Sequence, residues 1–441
     1  MSSTPAIRKA HILAPMLWIS WWQIAAASAL DVLTAPFDVG ISYTRDLYVD
    51  ASAQPGGNGS RALPFKDIPA ALAMAKPGTR VRILPGTYGA IGTVTNLQGS
   101  AQEPIGLLGE GDVVIETNTS SVALHLVDPR FVVIEGLTIR NTWPHGINID
   151  DGGSYESPAS HVVLRNISFS GIGNGGNNDC LKMSGVNHFH VEQSHFMGCD
   201  RGEAIDMVGC HDGIIAGNTF ADMPGNAVQT KGGSADVLIH GNRFTGIGQR
   251  AINAGGTTGE AYFRPLDAMY EAERIQVVAN IIERSGDTPV AFAGCDSCVF
   301  ANNTIIDPGR YVARIVEENR SRAPGANGYF INNVIVFRSS GSRTGIDVDV
   351  GPGTRPATYT FGWNLWNPVH DGPFAGPFFG PGLPVGKSSI VRRNRQLDAD
   401  WRPLAGSSAG AAGRDVPRGL PGDFEHRQYG TPPTIGAYAA P

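Results

Sequence analysis

Ala204-Ile205-Asp206-Met207-Val208 is followed 23 residues later by Ala227-Val228-Gln229-Thr230-Lys231, and after 24 more by Ala251-Ile252-Asn253-Ala254-Gly255. Each segment alternates apolar and polar residues, which is the pattern of a β-strand with one buried face. A repeat in the low twenties has room for short strands and turns but none for a crossover helix. The repeat therefore predicts a solenoid of stacked parallel strands over residues 46–345.

Asparagine recurs at the ends of other apolar segments with the same spacing. Asn218 and Asn242 lie 24 residues apart, and Asn280 and Asn303 lie 23 apart, whereas 38 residues separate Asn242 from Asn280. The longer interval indicates one coil plus an insertion. We expect the stacked amides to satisfy backbone groups of successive turns.

The composition favours an ordered protein without a nucleic-acid partner. Of 441 residues, 41% are hydrophobic and 17% charged, and the 57 glycines fall between apolar runs. These values exclude a highly charged, disordered chain. The formal net charge of -6 supplies no overall positive field to hold phosphates.

The five cysteines are interpreted as buried packing residues. An odd number in a long chain argues against a disulfide scaffold, and the CxxC of Cys295 and Cys298 lacks the second pair or histidines of a zinc site. All five are Cys180, Cys199, Cys210, Cys295 and Cys298.

Residues 1–29 have the pattern of an export signal. Arg8 and Lys9 precede an apolar run, and Ala27-Ser28-Ala29 supplies the small residues that a signal peptidase accepts. We expect a secreted or periplasmic monomer without stable membrane insertion after cleavage. The alternative is an uncleaved anchor, which polar residues within the run disfavour.

The alternation also predicts which residues share a surface. Stacked strands lie about 4.8 Å apart, so outward side chains of successive coils form a compact polar face. The predicted outward column is Asn148, Lys182, Asp206, Gln229 and Asn253, with Lys231 one outward position further. The residues just before these strands are His145, Asp179, Glu203, Asn226 and Arg250.

Both ends of the chain fit a solenoid. The apolar segment 68–75 predicts a short helix that caps the open core. Residues 346–441 are rich in proline and glycine and are interpreted as an irregular tail packing along the solenoid.

Tyr48-Val49-Asp50, Pro64-Phe65-Lys66-Asp67-Ile68 and Leu84-Pro85-Gly86-Thr87-Tyr88 resemble the N-terminal opening of secreted β-helix proteins in the pectate-lyase-like superfamily. Thr434-Ile435-Gly436-Ala437-Tyr438 resembles their C-terminal motif. The resemblance covers most of residues 46–441 and implies an all-β, single-stranded, right-handed parallel β-helix. This fold carries lyases, hydrolases, epimerases and binding proteins, so the fold alone does not assign an activity.

Two short motifs resemble the calcium-dependent alginate and chondroitin lyases. Gly202-Glu203-Ala204-Ile205 is similar to one of their strands, and Thr230-Lys231-Gly232-Gly233-Ser234 to the strand end that bears their lysine base. Arg250 falls about one coil later, where that subgroup has an arginine. The resemblance implies a lyase of an acidic polysaccharide with Ca²⁺ as cofactor. The chain departs from the subgroup at Pro224 and Asn226, where acidic calcium ligands are expected.

Elementary chemistry gives these residues roles. A β-eliminating lyase must neutralise a uronate carboxylate, remove the C5 proton and assist the leaving oxygen. Lys231 is the predicted base because a cationic neighbour, Arg250, disfavours its charged form, and Arg250 would bind the carboxylate as a fork. Lys182 is the alternative base. The predicted metal ligands are Asp179, Glu203 and Asp206.

The insertion after Asn253 is expected to wall the site, since long loops on a rigid ladder commonly carry binding residues. Tyr262 would protonate the leaving oxygen. The predicted substrate contacts are Asn148, Gln229, Asn253, Tyr262, Arg264 and Arg314.

Two other functions stay open. Asp179 and Glu203 on neighbouring coils would fit the carboxylate pair of a retaining glycoside hydrolase, and Asp206 would give the wider inverting spacing. A non-catalytic polysaccharide-binding protein or an epimerase would use the same polar ladder.

Overall fold

A computed structural model describes residues 36–440 apart from 120, 175–177, 339–344, 375, 385 and 387. The export signal predicted at residues 1–29 lies outside the described residues. None of the helices found there has the length and apolar character that crossing a bilayer requires. The described chain is nearly all β and winds through three parallel sheets, as the 23- to 24-residue repeat predicts.

Each coil visits the first, second and third sheets in turn. The strands of the first sheet are Arg45–Val49, Thr79–Ile83, Ile105–Gly109, Arg130–Glu135, Ala159–Arg165, Val186–Glu192, His211–Ala216, Ser234–His240, Ala272–Glu273, Gln276–Val278, Cys295–Asp296, Val299–Ala301, Tyr329–Ile331 and Thr360–Gly362. Those of the second are Gly86–Tyr88, Val113–Glu116, Thr138–Arg140, Ser168–Ile172, His195–Cys199, Thr219–Ala221, Arg243–Ile247, Ile281–Ser285, Thr304–Ile306, Val334–Phe337, Leu365–Pro368 and Ile390–Val391. Those of the third are Gly92–Thr95, Leu124–Val127, Ile147–Asp150, Leu181–Ser184, Ile205–Val208, Val228–Lys231, Arg250–Gly255, Thr288–Ala293, Ala313–Val316 and Val348–Val350.

The apolar core runs along the inside of the solenoid. Inward residues predicted from the alternation, such as Leu181, Ile205 and Val228, are fully buried in one cluster. Consecutive coils of the second sheet stack phenylalanine rings with centroids 4.6 to 4.9 Å apart. These rings belong to Phe169, Phe196, Phe220 and Phe244.

The asparagine ladder forms as expected. Asn242 Oδ1 accepts a hydrogen bond from the Asn218 N–H (2.9 Å), and Asn242 Nδ2 donates to the Ile215 carbonyl (2.8 Å). The same bonds repeat through Asn280 and Asn303. Each amide satisfies backbone groups that the turn would leave buried and unpaired.

A short helix packs on the N-terminal end of the core. The α-helix Ile68–Leu72 begins at Asp67, whose carboxylate accepts from the Ala70 N–H (3.0 Å), and its Ile68 and Leu72 join the core. Two 3₁₀ helices span Glu260–Tyr262 and Pro356–Thr358.

The parallel strands continue beyond the predicted boundary at residue 345. Short apolar segments of the Pro/Gly-rich region still pair in register, as Thr360–Gly362 does with Tyr329–Ile331. The remaining chain also contacts the first sheet, where Gln276 Nε2 donates to the Gly419 carbonyl (2.7 Å), and its last part lies against the second sheet. Ile435, Ala437 and Tyr438 pack there in a second apolar cluster.

The expectation of unpaired cysteines is wrong for four of the five. Cys180 is bonded to Cys199 and Cys295 to Cys298, while Cys210 is buried and free. The odd number of cysteines in the chain gave no sign of the Cys180–Cys199 bond, because the coil brings these two residues together at one corner although they lie 19 positions apart.

Candidate functional site

The outward column occupies consecutive positions of the third sheet. Asn148 pairs in register with Lys182, Lys182 with Asp206, Asp206 with Gln229, and Gln229 with Asn253. The regular coil length produces this alignment, because every repeat returns its strand to the same place. Residues 105 positions apart in the chain thus form one row.

Three carboxylates meet beside this row. Ligand oxygens of Asp179, Glu203 and Asp206 lie within 4.8 Å of one another. The side chains of both aspartates are fully buried, whereas Glu203 is partly exposed. Burial, and next the negative charges of Asp206 and Asp179, raise the pKa of Glu203 to about 8. The shift favours the neutral, protonated form of Glu203.

Two lysines neutralise the cluster. The Lys182 ammonium contacts Asp206 and lies 3.5 Å from Asp179 Oδ2, and Lys231 Nζ lies 3.1 Å from Asp206 Oδ1. Burial alone would raise the pKa of Asp206, but the two ammonium groups lower it overall. Burial likewise opposes the charge of Lys182, yet Asp206 and Asp179 raise its pKa above the ordinary value. Lys182 is therefore held protonated, which disfavours it as the alternative base.

The carboxylate cluster is of the kind that can hold a metal ion, but its donors do not fit calcium while the lysines stay in place. Ca²⁺ takes six to eight oxygen ligands. Here Asp206 already faces two ammonium groups and accepts from Gln229 Nε2 at 3.1 Å.

The arginines of the predicted site are paired with acids. Arg250 donates to Glu318 Oε1 (2.7 Å) and Asn253 Oδ1 (2.8 Å) and lies 3.4 Å from Asp287. Lys231 forms an ion pair with Asp206. From the sequence, Lys231 is the predicted base because Arg250 is its charged neighbour. In the structure each of the two residues instead forms ion pairs with acidic residues, which coil packing brings together.

Arg314 is similarly occupied. It extends the polar row of the third sheet, since it pairs with Ala291, the register partner of Asn253. Its guanidinium lies 2.9 Å from both Asp287 and Asp349.

An open cleft of about 640 Å³ borders the column at Asn148, Lys182 and Lys231. Its floor includes His145, Asn148, Lys182 and Lys231, and residues 257–264 of the insertion form a wall. Tyr262 belongs to this wall and is 64% exposed, so its hydroxyl is accessible to a bound ligand.

Arg264 anchors that wall. Its guanidinium donates to Asp151 Oδ1 at 2.8 Å and Oδ2 at 2.5 Å, and it lies over the Tyr155 ring. Both members of the ion pair are buried. The predicted substrate-binding arginine is therefore committed to holding the loop.

Glu271 gives the wall its second anchor, and the sequence repeat gave no sign of it. The buried carboxylate accepts from the Gly232 N–H (2.8 Å), the Thr258 N–H (2.7 Å) and Asn319 Nδ2 (2.6 Å). Because Gly232 directly follows Lys231, Glu271 fixes the end of the strand that bears this lysine.

His145 lines the cleft and His125 contacts Asp150 at its edge, and neither histidine has a role assigned from the sequence. His145 Nδ1 accepts from the Asp179 N–H (3.0 Å), and burial lowers the pKa of His145. The accepting Nδ1 places the proton of the neutral ring on Nε2. His125 Nε2 lies 2.6 Å from Asp150 Oδ2. His125 pairs in register with Asn148, so the spacing of the column is the signal that could have included it.

Comparison with known proteins places this arrangement in a known fold. A family model described as a right-handed β-helix region matches residues 111–268. No curated protein sequence matches the chain. The crystal structure of pectate lyase Pel9A is similar with a TM-score of 0.60 and 16% sequence identity, over 92% of this chain and 100% of the pectate lyase.

Two further solved structures are similar at 13% identity. A rhamnogalacturonan lyase has a TM-score of 0.56, over 73% of this chain and 87% of its own. A GH136 lacto-N-biosidase from Eubacterium ramulus has a TM-score of 0.53, over 79% of this chain and 68% of its own. The chain has the right-handed parallel β-helix fold that these structures share.

Proposed function

We propose that this protein is a secreted or periplasmic lyase that cleaves a uronate-containing polysaccharide by β-elimination in the cleft. The observation that carries the proposal is the pair of ammonium groups, Lys182 and Lys231, that share the buried Asp206 at the cleft floor. A cationic floor suits an acidic sugar, and an amine is a suitable base for the C5 proton.

The proposed reaction uses Lys231, Lys182 and Tyr262. Lys231 forms an ion pair with Asp206, whereas Lys182 contacts Asp206 and also lies 3.5 Å from Asp179, so we assign the base to Lys231, which has fewer ion pairs within the cluster. Lys231 first releases its ammonium proton to solvent in the open cleft. The free amine then takes the C5 proton, the electrons of that bond form the C4–C5 double bond, and the C4–O bond breaks. The leaving oxygen takes the Tyr262 hydroxyl proton.

Lys182 takes the charge-neutralising role that the sequence suggested for Arg250. Its ammonium lines the cleft and has three donors, so it can face a substrate carboxylate while keeping its contacts with Asp206 and Asp179. Neutralising this carboxylate stabilises the negative charge that develops when the C5 proton leaves.

Glycoside hydrolysis is the second candidate, and the raised pKa of Glu203 favours it. A neutral carboxylic acid suits proton transfer to a glycosidic oxygen. The second carboxylate of such an enzyme must reach the sugar or its attacking water. The side chains of Asp179 and Asp206 are fully buried, so a hydrolase would need these residues to rearrange, and we rank the lyase first.

Assays on uronate and neutral polysaccharides that follow unsaturated-product absorbance and reducing ends together separate these functions. A lyase gives both signals, and Lys231→Ala should lower kcat by about 10³-fold because the base is lost. Lys66→Ala removes an exposed lysine far along the chain and should leave kcat unchanged. Reducing ends without absorbance, abolished by Glu203→Gln but not by Lys231→Ala, would replace the lyase with the hydrolase.

A further inference from the structure

We propose that the Lys182 ammonium takes the place of a divalent cation in the acidic cluster, so that catalysis in this cleft needs no bound metal. The inference rests on the proposed lyase for its catalytic part. The other part of the inference, that Lys182 keeps metal ions from binding to the acidic cluster, depends only on the geometry of the cluster.

Strand register puts Lys182 in this position. Lys182 is the direct partner of Asp206 on the next coil, and it follows Asp179 by three residues on its own coil. The lysine side chain therefore reaches one carboxylate on the next coil and one on its own coil. The structure places the ammonium in contact with Asp206 and 3.5 Å from Asp179 Oδ2.

The charge supplied by the lysines equals that of the ion they replace. In the resting cluster, before Lys231 releases its proton to act as the base, Lys182 and Lys231 together bring two positive charges to the three carboxylates, which is the charge of one Ca²⁺. Both lysine side chains are mostly buried, so their charges are poorly screened by water and act strongly on Asp206.

The oxygens that a metal would need are already occupied. Asp179 Oδ1 accepts from the Glu203 N–H (2.9 Å), and Glu203 Oε1 accepts from Asn226 Nδ2 (3.1 Å). Asp206 Oδ1 faces Gln229 and Lys231, and Asp206 Oδ2 faces Lys182. With the Lys182 contact of Asp179 Oδ2, five of the six carboxylate oxygens have a partner.

Asp179 supplies an independent indication that a cation belongs here. Its Oδ2 is fully buried and makes no hydrogen bond within the described residues. A buried carboxylate oxygen without a donor needs positive charge nearby. Lys182 Nζ at 3.5 Å is an ammonium in a position to provide it.

The replacement has a functional consequence. A tethered ammonium cannot dissociate, so the positive charge at the cleft floor is independent of the calcium concentration around the protein. Chelators should therefore leave the active site intact.

Metal binding by the full-length protein tests this inference without any substrate. Calorimetry with Ca²⁺ and luminescence of added Tb³⁺ should show no saturable site in the wild type. Lys182→Asn removes the ammonium and adds an amide oxygen, so it should bind Tb³⁺ at least 100-fold more tightly than the wild type. Lys66→Asn, on an exposed loop, is the matched control and should behave like the wild type.

Activity provides the second arm. Wild-type turnover should be the same in chelator and in Ca²⁺, whereas Lys182→Asn should lose at least 100-fold in chelator and recover part of it in Ca²⁺. Saturable Ca²⁺ binding by the wild type that Asp179→Asn abolishes would overturn the inference, even if Lys182→Asn fails to fold. Absence of turnover on every polysaccharide would instead overturn the lyase proposal, and the wild-type metal measurements would still decide the role of Lys182.

Discussion

Arg264 and Asp151 show how a single residue pair sets the shape of the cleft. Their buried ion pair joins positions 113 residues apart and ties the insertion to the end of the strand Ile147–Asp150 in the third sheet. Arg264→Ala should lower the free energy of unfolding by about 3 to 5 kcal/mol, because the Asp151 carboxylate is left buried without a counter-charge. Urea unfolding measures this loss.

A double variant separates the cost of the orphaned charge from that of lost packing. Arg264→Met with Asp151→Leu removes both charges and should regain most of the stability lost by Arg264→Ala. Equal stability of Arg264→Ala and the wild type would show that the pair contributes nothing to holding the wall.

The asparagine ladder stabilises the repeated turn at the scale of the structural element. Asn242→Ala should lower the free energy of unfolding by about 2 to 4 kcal/mol, because the Asn218 N–H and the Ile215 carbonyl lose their buried partner. Asn166 fits the same sequence pattern but is exposed and has a φ of 54°. Asn166→Gly should therefore cost only a few tenths of a kcal/mol. Equal losses in urea unfolding of the two variants would contradict a stabilising role for the ladder.

At the scale of the whole molecule, the C-terminal tail covers apolar residues of the second sheet, and Asp423 holds parts of the tail together by hydrogen bonds. This buried carboxylate accepts from the Ala439 N–H (2.9 Å), the Arg427 N–H (2.8 Å) and Arg427 Nε (3.0 Å). Burial opposes its charge, but these bonds lower the pKa of Asp423 overall. Its stabilising effect is therefore complete above the ordinary aspartate pKa of about 3.9 and is lost as pH falls below that value.

Acid titration of tail stability tests this sign. Wild-type stability in urea should fall more steeply below about pH 4 than that of Asp423→Asn, which should already be less stable at pH 7. Hydrogen exchange should show the earliest loss of protection around the Ala439 N–H. Parallel stability curves for the two proteins would exclude Asp423 as the titrating group.

The sequence by itself determined the parallel solenoid, the inward and outward columns and the asparagine ladder. These features follow from local rules, since strand alternation chooses the face of each residue and a constant coil length stacks equivalent residues. The same rules bring Asp179, Glu203 and Asp206 together on adjacent coils.

Only the tertiary structure decided which charges meet. Lys231 pairs with Asp206, and Arg250 pairs with Glu318, which lies 68 positions away. Arg264 pairs with Asp151. The repeat spacing determines which row of the sheet a residue occupies. The partner of a long, flexible side chain depends instead on insertions and on contacts between coils, and these do not repeat regularly along the sequence. The strength of each pair depends on burial, which also emerges only when the coils and the insertion close around the site.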